Sequence, residues 1–432
     1  MKIKKHLKII GVVLLCVVTF FAGFFTRAIS NKEMTSLRFI LNQYEKYYLE
    51  ESDDYISIMA NSLLDKYSKY YTAEEYELIQ KASKGMRAGI GLAVSNVGGN
   101  LFISSVVGNS PAENAGVTAG GIVVGTKLND ETEFTVSDYN GHLNVLNQLI
   151  EGDMLTIKVD YEGEEKIFSF QKREYTETYV YYADQTGCYR FNDNGTDELK
   201  LVKYEDSFVE ELPSQTAYIK FTSFNGLRND LYGAVKQIET VLDKFKKNQN
   251  VKLIFDLRNN GGGYMDIMSE IASHFIGETD GARVLVSKAV YKDGKEDKFK
   301  SKKVVSSQYN FKQLVFLCNE NTASASEAFV GACLDYDYDD IVKVVLSRSG
   351  REGNYVYRSY GKGIMQTTIE NLLVGDAIKL TTAKIYWPKS NVCIHDVGIT
   401  KGLEEYSKKI IEASFLSDCD YELKEAINIC SK

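Results

Sequence analysis

The sequence predicts an α+β chain of several domains, and three observations predict it. From Gly89 to Phe170, short apolar runs alternate with turn residues, the pattern of a small β-domain. From 176 to 402, strand-like and helix-like segments alternate, as in an α/β core with right-handed crossovers. The flanks, 31–85 and 403–432, carry apolar residues at helical spacing. A length of 432 residues accommodates two or three domains. The 44% apolar and 25% charged content is ordinary for globular chains, and a net charge of -8 argues against a nucleic-acid partner. The seven cysteines form no CxxC pair and the four histidines are dispersed, so neither a metal nor any other cofactor is expected.

Taken in order, Lys2, Lys4, Lys5 and Lys8 precede an apolar run from Ile9 to Phe25. That run is close to the roughly 20 residues a spanning helix needs. Residues 1–30 therefore read as a single-pass cell-membrane anchor, the basic side inside and the rest of the chain on the extracytoplasmic side. A cleaved signal peptide is the rival, given the short run and small Ala22 and Gly23. Residues 31–85 read as helices through Leu37, Ile40, Leu41 and Tyr44, then Ile56, Met59, Leu63 and Leu64. Residues 86–175 form the β-domain, with strands expected at Ile90–Val94, Leu101–Val106, Ile122–Leu128, Leu155–Tyr161 and Ile167–Phe170. Two helical pieces interrupt them. One is Ser110–Ala115, with Pro111 at a first helical position and Gly116 closing it; the other runs from Ser137 to Ile150. In 176–402 the strands expected include Ala217–Phe221, Leu253–Asp256, Leu314–Cys318, Val342–Leu346 and Ala377–Tyr386. The tail 403–432 reads as helical.

Three separated stretches of the core carry chemistry. The first, Asp256-Leu257-Arg258-Asn259-Asn260-Gly261-Gly262-Gly263, follows a buried strand and exposes backbone N–H groups where ligands bind in α/β sheets. In the second, Thr322-Ala323-Ser324-Ala325-Ser326-Glu327, small and hydroxyl residues sit at a strand-to-helix turn. The helix start offers free N–H groups and a positive dipole end to a developing oxyanion. A serine there is either a nucleophile or simply an N-cap with Glu in the first turn. Ser324 is the candidate, with Ser326 as fallback. The third stretch is Gly361-Lys362-Gly363-Ile364-Met365-Gln366. A serine needs a base, and no histidine lies in these stretches; a lysine serves when burial lowers its pKa. Gln366 could orient that amine without adding charge. The acidic residues Asp335, Asp337, Asp339 and Asp340 read as a solvated surface rather than a calcium site.

Together the three stretches resemble the C-terminal processing peptidases, S41-type serine proteases with an embedded PDZ domain. Gly89-Ile90-Gly91-Leu92 followed by Asn109-Ser110-Pro111-Ala112-Glu113-Asn114-Ala115-Gly116 resembles the PDZ domains of bacterial proteases. The resemblance covers roughly residues 60 to 402 and implies a protease core of the ClpP/crotonase-like type. It implies Ser324 as nucleophile, Lys362 as general base and Gln366 as its positioner. It also implies an oxyanion hole from Ala325 and from Gly261 or Gly262, and a peptide-carboxylate loop of Ile90, Gly91 and Leu92. Departures are visible: Gly261 stands where the family has proline, and Gly120-Gly121-Ile122 replaces a Gly-Asp-x-Ile pattern. The Ser324–Lys362 interval is longer than usual, with the extra residues assigned to Ser347–Ser359, and Ile399-Thr400-Lys401 lacks a Pro-Asp.

The implied function is a serine endopeptidase that takes protein or peptide substrates with free C-termini through the PDZ domain and cleaves through an acyl-enzyme, as a homodimer. The alternative is an inactive PDZ peptide-binding adaptor with a protease-like core.

Overall fold

The computed structural model describes residues 32–47, 55–83, 86–192, 199–204, 212–226, 232–245, 251–276, 283–302, 311–337, 339–350, 354–414 and 419–432. The chain divides into two compact units, 1–63 and 64–432. In the first, the described residues form the helices Lys32–Tyr47 and Tyr55–Ser62. The anchor expected at 1–30 lies outside the described residues. Among those that are described, no helix is long and apolar enough to cross a membrane.

The second unit is built on an eight-stranded sheet. Its centre is parallel: Thr216–Phe221, Val251–Asp256, Phe311–Cys318, Val342–Leu346 and Ile410–Glu412 lie side by side. Runs such as Leu314–Cys318 are wholly buried, which is why they read as unbroken apolar stretches rather than alternating ones. Val180–Asp184, Gly187–Asn192 and Lys200–Tyr204 extend the sheet antiparallel on the Thr216–Phe221 side. The helices Ala234–Leu242, Met265–Ala272 and Ala325–Asp335 pack into one apolar cluster with the sheet. The helix Tyr421–Ser431 packs in a separate one. A second, five-stranded sheet joins Lys69–Tyr71, Ala377–Tyr386, Leu285–Tyr291, Glu296–Lys300 and Ile364–Glu370.

The β-domain is a separate antiparallel sheet in the order Leu92–Val97, Asn100–Val106, Ile122–Leu128, Met154–Tyr161, Glu164–Gln171. Ser110 caps the short helix Pro111–Asn114 by accepting from Glu113 N, and Asp138 caps Tyr139–Gln148. Leu92–Val97 is an edge strand, paired on one side only. The domain is tied to the core sheet through that short helix. Glu113 accepts from the Tyr181 hydroxyl at 2.5 Å and pairs with Arg190 at 2.8 Å, while Asn192 Nδ2 donates to Asn114 Oδ1 at 2.7 Å.

Two readings of the flanks are corrected. Ile410–Glu412 is not helical but the last parallel strand, paired with Val344–Leu346; among the described residues of the tail the helical pieces are the short 3₁₀ turn Glu404–Tyr406 and the α-helix Tyr421–Ser431. Lys69–Tyr71, inside the stretch read as helical, is a strand paired with Ala377–Lys379. A three-residue strand carries too little alternation to separate from a helix by period.

The helix Ala325–Asp335 is anchored from two sides. The Phe329 ring lies 5.3–5.8 Å from those of Phe275, Phe316, Phe255 and Phe224, all at steep angles. Gly331 faces the buried Trp387, and a Cβ there would stand 2.0 Å from Trp387 Cε2. Gly331→Ala therefore forces an indole with no free space to move. The expected result is a loss of about 1–3 kcal/mol of stability, read as a lower urea midpoint at unchanged m-value.

Candidate active site

The strand Phe311–Cys318 ends at a turn that is stitched to the glycine stretch. Thr322 Oγ1 donates to Leu257 O at 2.8 Å, Ala323 N donates to Asn260 O at 3.0 Å, and Asn259 Oδ1 accepts from the side chains of Asn319 and Asn321 at 2.9 Å each. Ser324 closes the turn with φ 60° and ψ -118°, a left-handed conformation that costs a non-glycine residue about 1–3 kcal/mol. The helix begins at the next residue. A half-buried serine is thus held on a strained strand-to-helix turn, the geometry of a nucleophile elbow. Ser326, the fallback, is fully buried and its hydroxyl donates to Asn260 O at 3.0 Å, which removes it as a nucleophile.

Gly262 packs against this turn. A Cβ there would meet Ala323 O and Ala325 N at 2.8 Å and Ser324 Cβ at 2.9 Å, and its φ is 100°. The close approach requires glycine. The Gly262 N–H, however, donates to Asn260 Oδ1 at 2.9 Å, so it is not an open oxyanion donor. Ala325 N and Gly261 N donate to no acceptor among the described residues. Of the three residues expected to form the hole, Ala325 and Gly261 keep available donors and Gly262 is the spacer that lets them approach.

Glu327 joins the serine turn to the lysine loop. Its carboxylate is fully buried and has four donors. Ser324 N and Lys362 N both donate to Oε2 at 2.9 Å, Gly361 N donates to Oε1 at 2.8 Å, and the Ser359 hydroxyl donates to Oε1 as well. Burial is the larger influence and leaves the carboxyl's pKa raised, although these four hydrogen bonds pull it down. Two amides bonded to one oxygen lie within twice 2.9 Å of each other. The backbone of Ser324 and that of Lys362 are therefore neighbours.

The glycines beside Lys362 permit close packing, as expected. A Cβ at Gly361 would meet Gly398 N at 2.9 Å and one at Gly363 would meet His395 N at 2.6 Å. The Lys362 amine is held below the ordinary lysine range, by burial first and then by repulsion from Lys379; Glu327 and Asp65 act in the opposite direction. Its Nζ lies 5.6 Å from the centre of the Tyr67 ring. No hydrogen bond joins that amine to Ser324 Oγ or to Gln366 among the described residues. Gln366, on the strand Ile364–Glu370, instead donates from Nε2 to Thr381 Oγ1 at 3.3 Å.

Ile90, Gly91 and Leu92 stand apart from this centre, at the start of the edge strand. Their carbonyls are engaged locally: Ala112 N donates to Ile90 O at 3.0 Å and Val107 N to Gly91 O at 2.8 Å. Gly91 has φ 82°, and a Cβ there would strike Ser110 Cβ at 2.0 Å. Of the acidic residues read as a solvated surface, Asp339 and Asp340 are exposed, but Asp335 and Asp337 are not. Asp337 has a fully buried side chain, accepts from Ile341 N at 2.9 Å and pairs with Lys409; Asp335 accepts from Lys389 N at 2.7 Å. Among the described residues no group of His, Cys, Asp and Glu could hold a metal ion.

A strained serine at a strand-to-helix turn and a half-buried lysine whose backbone adjoins it thus lie together on the α/β core. Residues 215–404 match the family model of peptidase family S41. A CtpA-like serine protease of Staphylococcus saprophyticus is 25% identical over 384 residues, covering 86% of this chain and 64% of its own length. One from Staphylococcus aureus is 26% identical over 386 residues, covering 86% and 65%. The chain thus spans slightly less than two thirds of these relatives. A solved photosystem II D1 C-terminal processing protease superposes with TM-score 0.49 at 17% identity, covering 94% of this chain and 92% of that one.

Sequence reasoning placed Glu327 only as a possible first-turn residue and missed its link to Ser359, Gly361 and Lys362. Asn260, Tyr67 and Lys379 were missed as well. The signal for Glu327 was present, since a glutamate three residues after a serine can reach back to that residue's amide.

If the Lys362 amine activates Ser324, phosphonylation of Ser324 by a serine-reactive fluorophosphonate rises with pH through the lowered lysine pKa and levels off below a free lysine's range. Glu327→Gln deletes the negative charge that favours the ammonium, so the midpoint moves to lower pH. It also leaves one oxygen fewer for four donors, and the resulting misplacement slows the plateau rate by ~10²-fold. A midpoint that stays or rises would show that Glu327 does not act on the amine.

Proposed function

We propose that the chain is a serine endopeptidase in which Ser324 is the nucleophile and Lys362 the general base. The observation that carries this is the Glu327 carboxylate, one oxygen of which binds the amides of both residues while Ser324 is held in a strained backbone conformation. In this reading the neutral Lys362 amine takes the hydroxyl proton as Ser324 Oγ bonds to the scissile carbonyl carbon. The N–H groups of Ala325 and Gly261 hold the oxyanion. The tetrahedral species collapses to the acyl ester, and the Lys362 ammonium returns its proton to the departing amine. A water molecule, deprotonated by the same amine, then releases the acid. The relatives that match over 86% of the chain are serine proteases by name, which supports the reading. Gln366 enters it as a residue that would orient the amine after turning from Thr381.

The β-domain would act as a PDZ-type peptide site. A substrate's C-terminal segment would add to the free edge of Leu92–Val97, its carboxylate against the Ile90–Leu92 turn. A cleft of about 1480 Å³ supports a path from there to the centre, since it is lined by Ala93, Ser105 and Gly108 of the β-domain and by Ser223 and Asn259 beside the glycine turn. The basic residues before the apolar run 9–25 support a membrane anchor that leaves this machinery outside the cytoplasm.

One observation favours the second reading, an inactive peptide-binding adaptor: the Lys362 amine is not bonded to Ser324 Oγ, and the Gln366 amide is engaged elsewhere. The full-length chain and an unstructured protein with an apolar C-terminus separate the two. Ser324→Ala and Lys362→Ala are each expected to lower cleavage by ~10³-fold or more. Retained cleavage in both variants overturns the mechanism. A wild-type chain that binds the C-terminal peptide but neither cleaves nor is labelled at Ser324 is the adaptor.

A further inference from the structure

We propose that Tyr67 is a positioning residue for the Lys362 amine, its ring closing over the amine and keeping water from it. The inference rests on the reading of Lys362 as the base. Tyr67 lies outside residues 215–404, the part of the chain that matches the family model. The site would then be completed by a segment from the N-terminal side of the β-domain.

The ring is placed by its own turn. Asp65 Oδ1 accepts from Tyr67 N at 2.9 Å and from Ser68 N at 2.8 Å, an Asx-type turn. Ser68 Oγ accepts from Thr381 N at 2.9 Å, and Lys69–Tyr71 then pairs with Ala377–Lys379. Thr381 is also the residue that receives the Gln366 amide. The turn bearing Tyr67 and the strand bearing Gln366 are thus both fixed to Thr381. The ring is flanked by Tyr360, 6.4 Å away and edge-on, and by His395 at 6.3 Å. It also walls a cavity of about 670 Å³ with Ile364, Tyr386 and His395, while Lys362 is not part of that lining. Removing the ring would open this cavity onto the amine.

The sign follows from what the ring does to each protonation state. Excluding water disfavours the ammonium, and burial is the largest influence on Lys362. The ring's electron-rich face attracts the ammonium, a smaller and opposite effect. The charged groups acting on the amine are Lys379 from the paired strand, Glu327 from the helix and Asp65 from the Tyr67 turn, while Lys66, Tyr360 and His395, itself near Asp396, surround the ring. None of these is deleted with the ring; Tyr67→Ala removes the shield together with the weaker attraction of the ring face, and Tyr67→Phe controls for the hydroxyl.

The test is competitive acetylation of the full-length chain with trace acetic anhydride across a pH series, the Lys362 peptide being quantified by mass spectrometry. Wild type and Tyr67→Phe are expected to titrate together, below the range of an exposed lysine. Tyr67→Ala should titrate higher by about one unit, and Tyr67→Leu should move the same way by less. At a fixed neutral pH, kcat of Tyr67→Ala should fall roughly tenfold per unit of that shift at unchanged KM, and recover as the pH is raised. A Lys362 titration in Tyr67→Ala and Tyr67→Leu that coincides with wild type, or moves down, overturns the inference alone, provided Lys362→Ala is inactive. Full cleavage by Lys362→Ala overturns the reading beneath it and the inference with it.

Discussion

The buried carboxylate of Glu327 is the constraint on which the site depends. An isolated ionised carboxylate inside a protein is costly, and it persists where hydrogen-bond donors replace its water. Here four donors do so, and three of them come from Ser359, Gly361 and Lys362, some 32 to 35 residues further along the chain. The fourth is the amide of Ser324 itself. The same group therefore satisfies the start of the helix Ala325–Asp335 and fixes the lysine loop against it. Neither segment can move away without leaving a buried charge short of partners, which is a penalty larger than the worth of an ordinary hydrogen bond.

The glycine stretch is held to the serine turn by a second and independent set of bonds. Asn260 uses its backbone carbonyl for Ala323 N and Ser326 Oγ, its Oδ1 for Gly262 N and its Nδ2 for Phe221 O. Arg258, just upstream, reaches Asp256 at 2.6 Å and Asp420 at 2.7 Å, and so ties the C-terminal helix to the same strand end. All of these groups gather at the carboxyl ends of two adjacent parallel strands, Val251–Asp256 and Phe311–Cys318. The sheet orders the neighbours, and the side chains of Asn260 and Glu327 set the distances.

Much of this was legible in the sequence where a pattern repeats within a few residues. Buried parallel strands announced themselves as unbroken apolar runs, and the short helix after Ser110 by its proline and closing glycine. The three segments carrying Ser324, Lys362 and the glycine turn were readable as candidates from their small residues, and the structure brings their backbones together. What was not readable depends on partners far apart in the chain. The strand Lys69–Tyr71 exists because Ala377–Lys379 lies beside it, and Tyr70 reaches Asp376 across 306 positions. Ile410–Glu412 carries two isoleucines that fit a helix as well as a strand until Val344–Leu346 offers an edge. Glu327 looked like a local capping residue because half of its role is local. Its other half needs the loop at 359–362 to be present.

The presence of a carboxylate beside a lysine ordinarily argues against that lysine as a base, since an anion stabilises the ammonium. For the base proposed here, the conflict is eased by where the anion's hydrogen bonds go. Glu327 directs its oxygens at three backbone amides and a serine hydroxyl, and none of its bonds reaches the Lys362 amine. Its charge acts on the amine only through space, opposed by Lys379 and outweighed by burial. The carboxylate can therefore order both halves of the centre without holding the proton in place. A lysine carrying its own direct carboxylate partner would be equally well positioned and would stay charged. Separating the backbone contact from the side-chain amine would make structural anchoring compatible with the basicity proposed for Lys362.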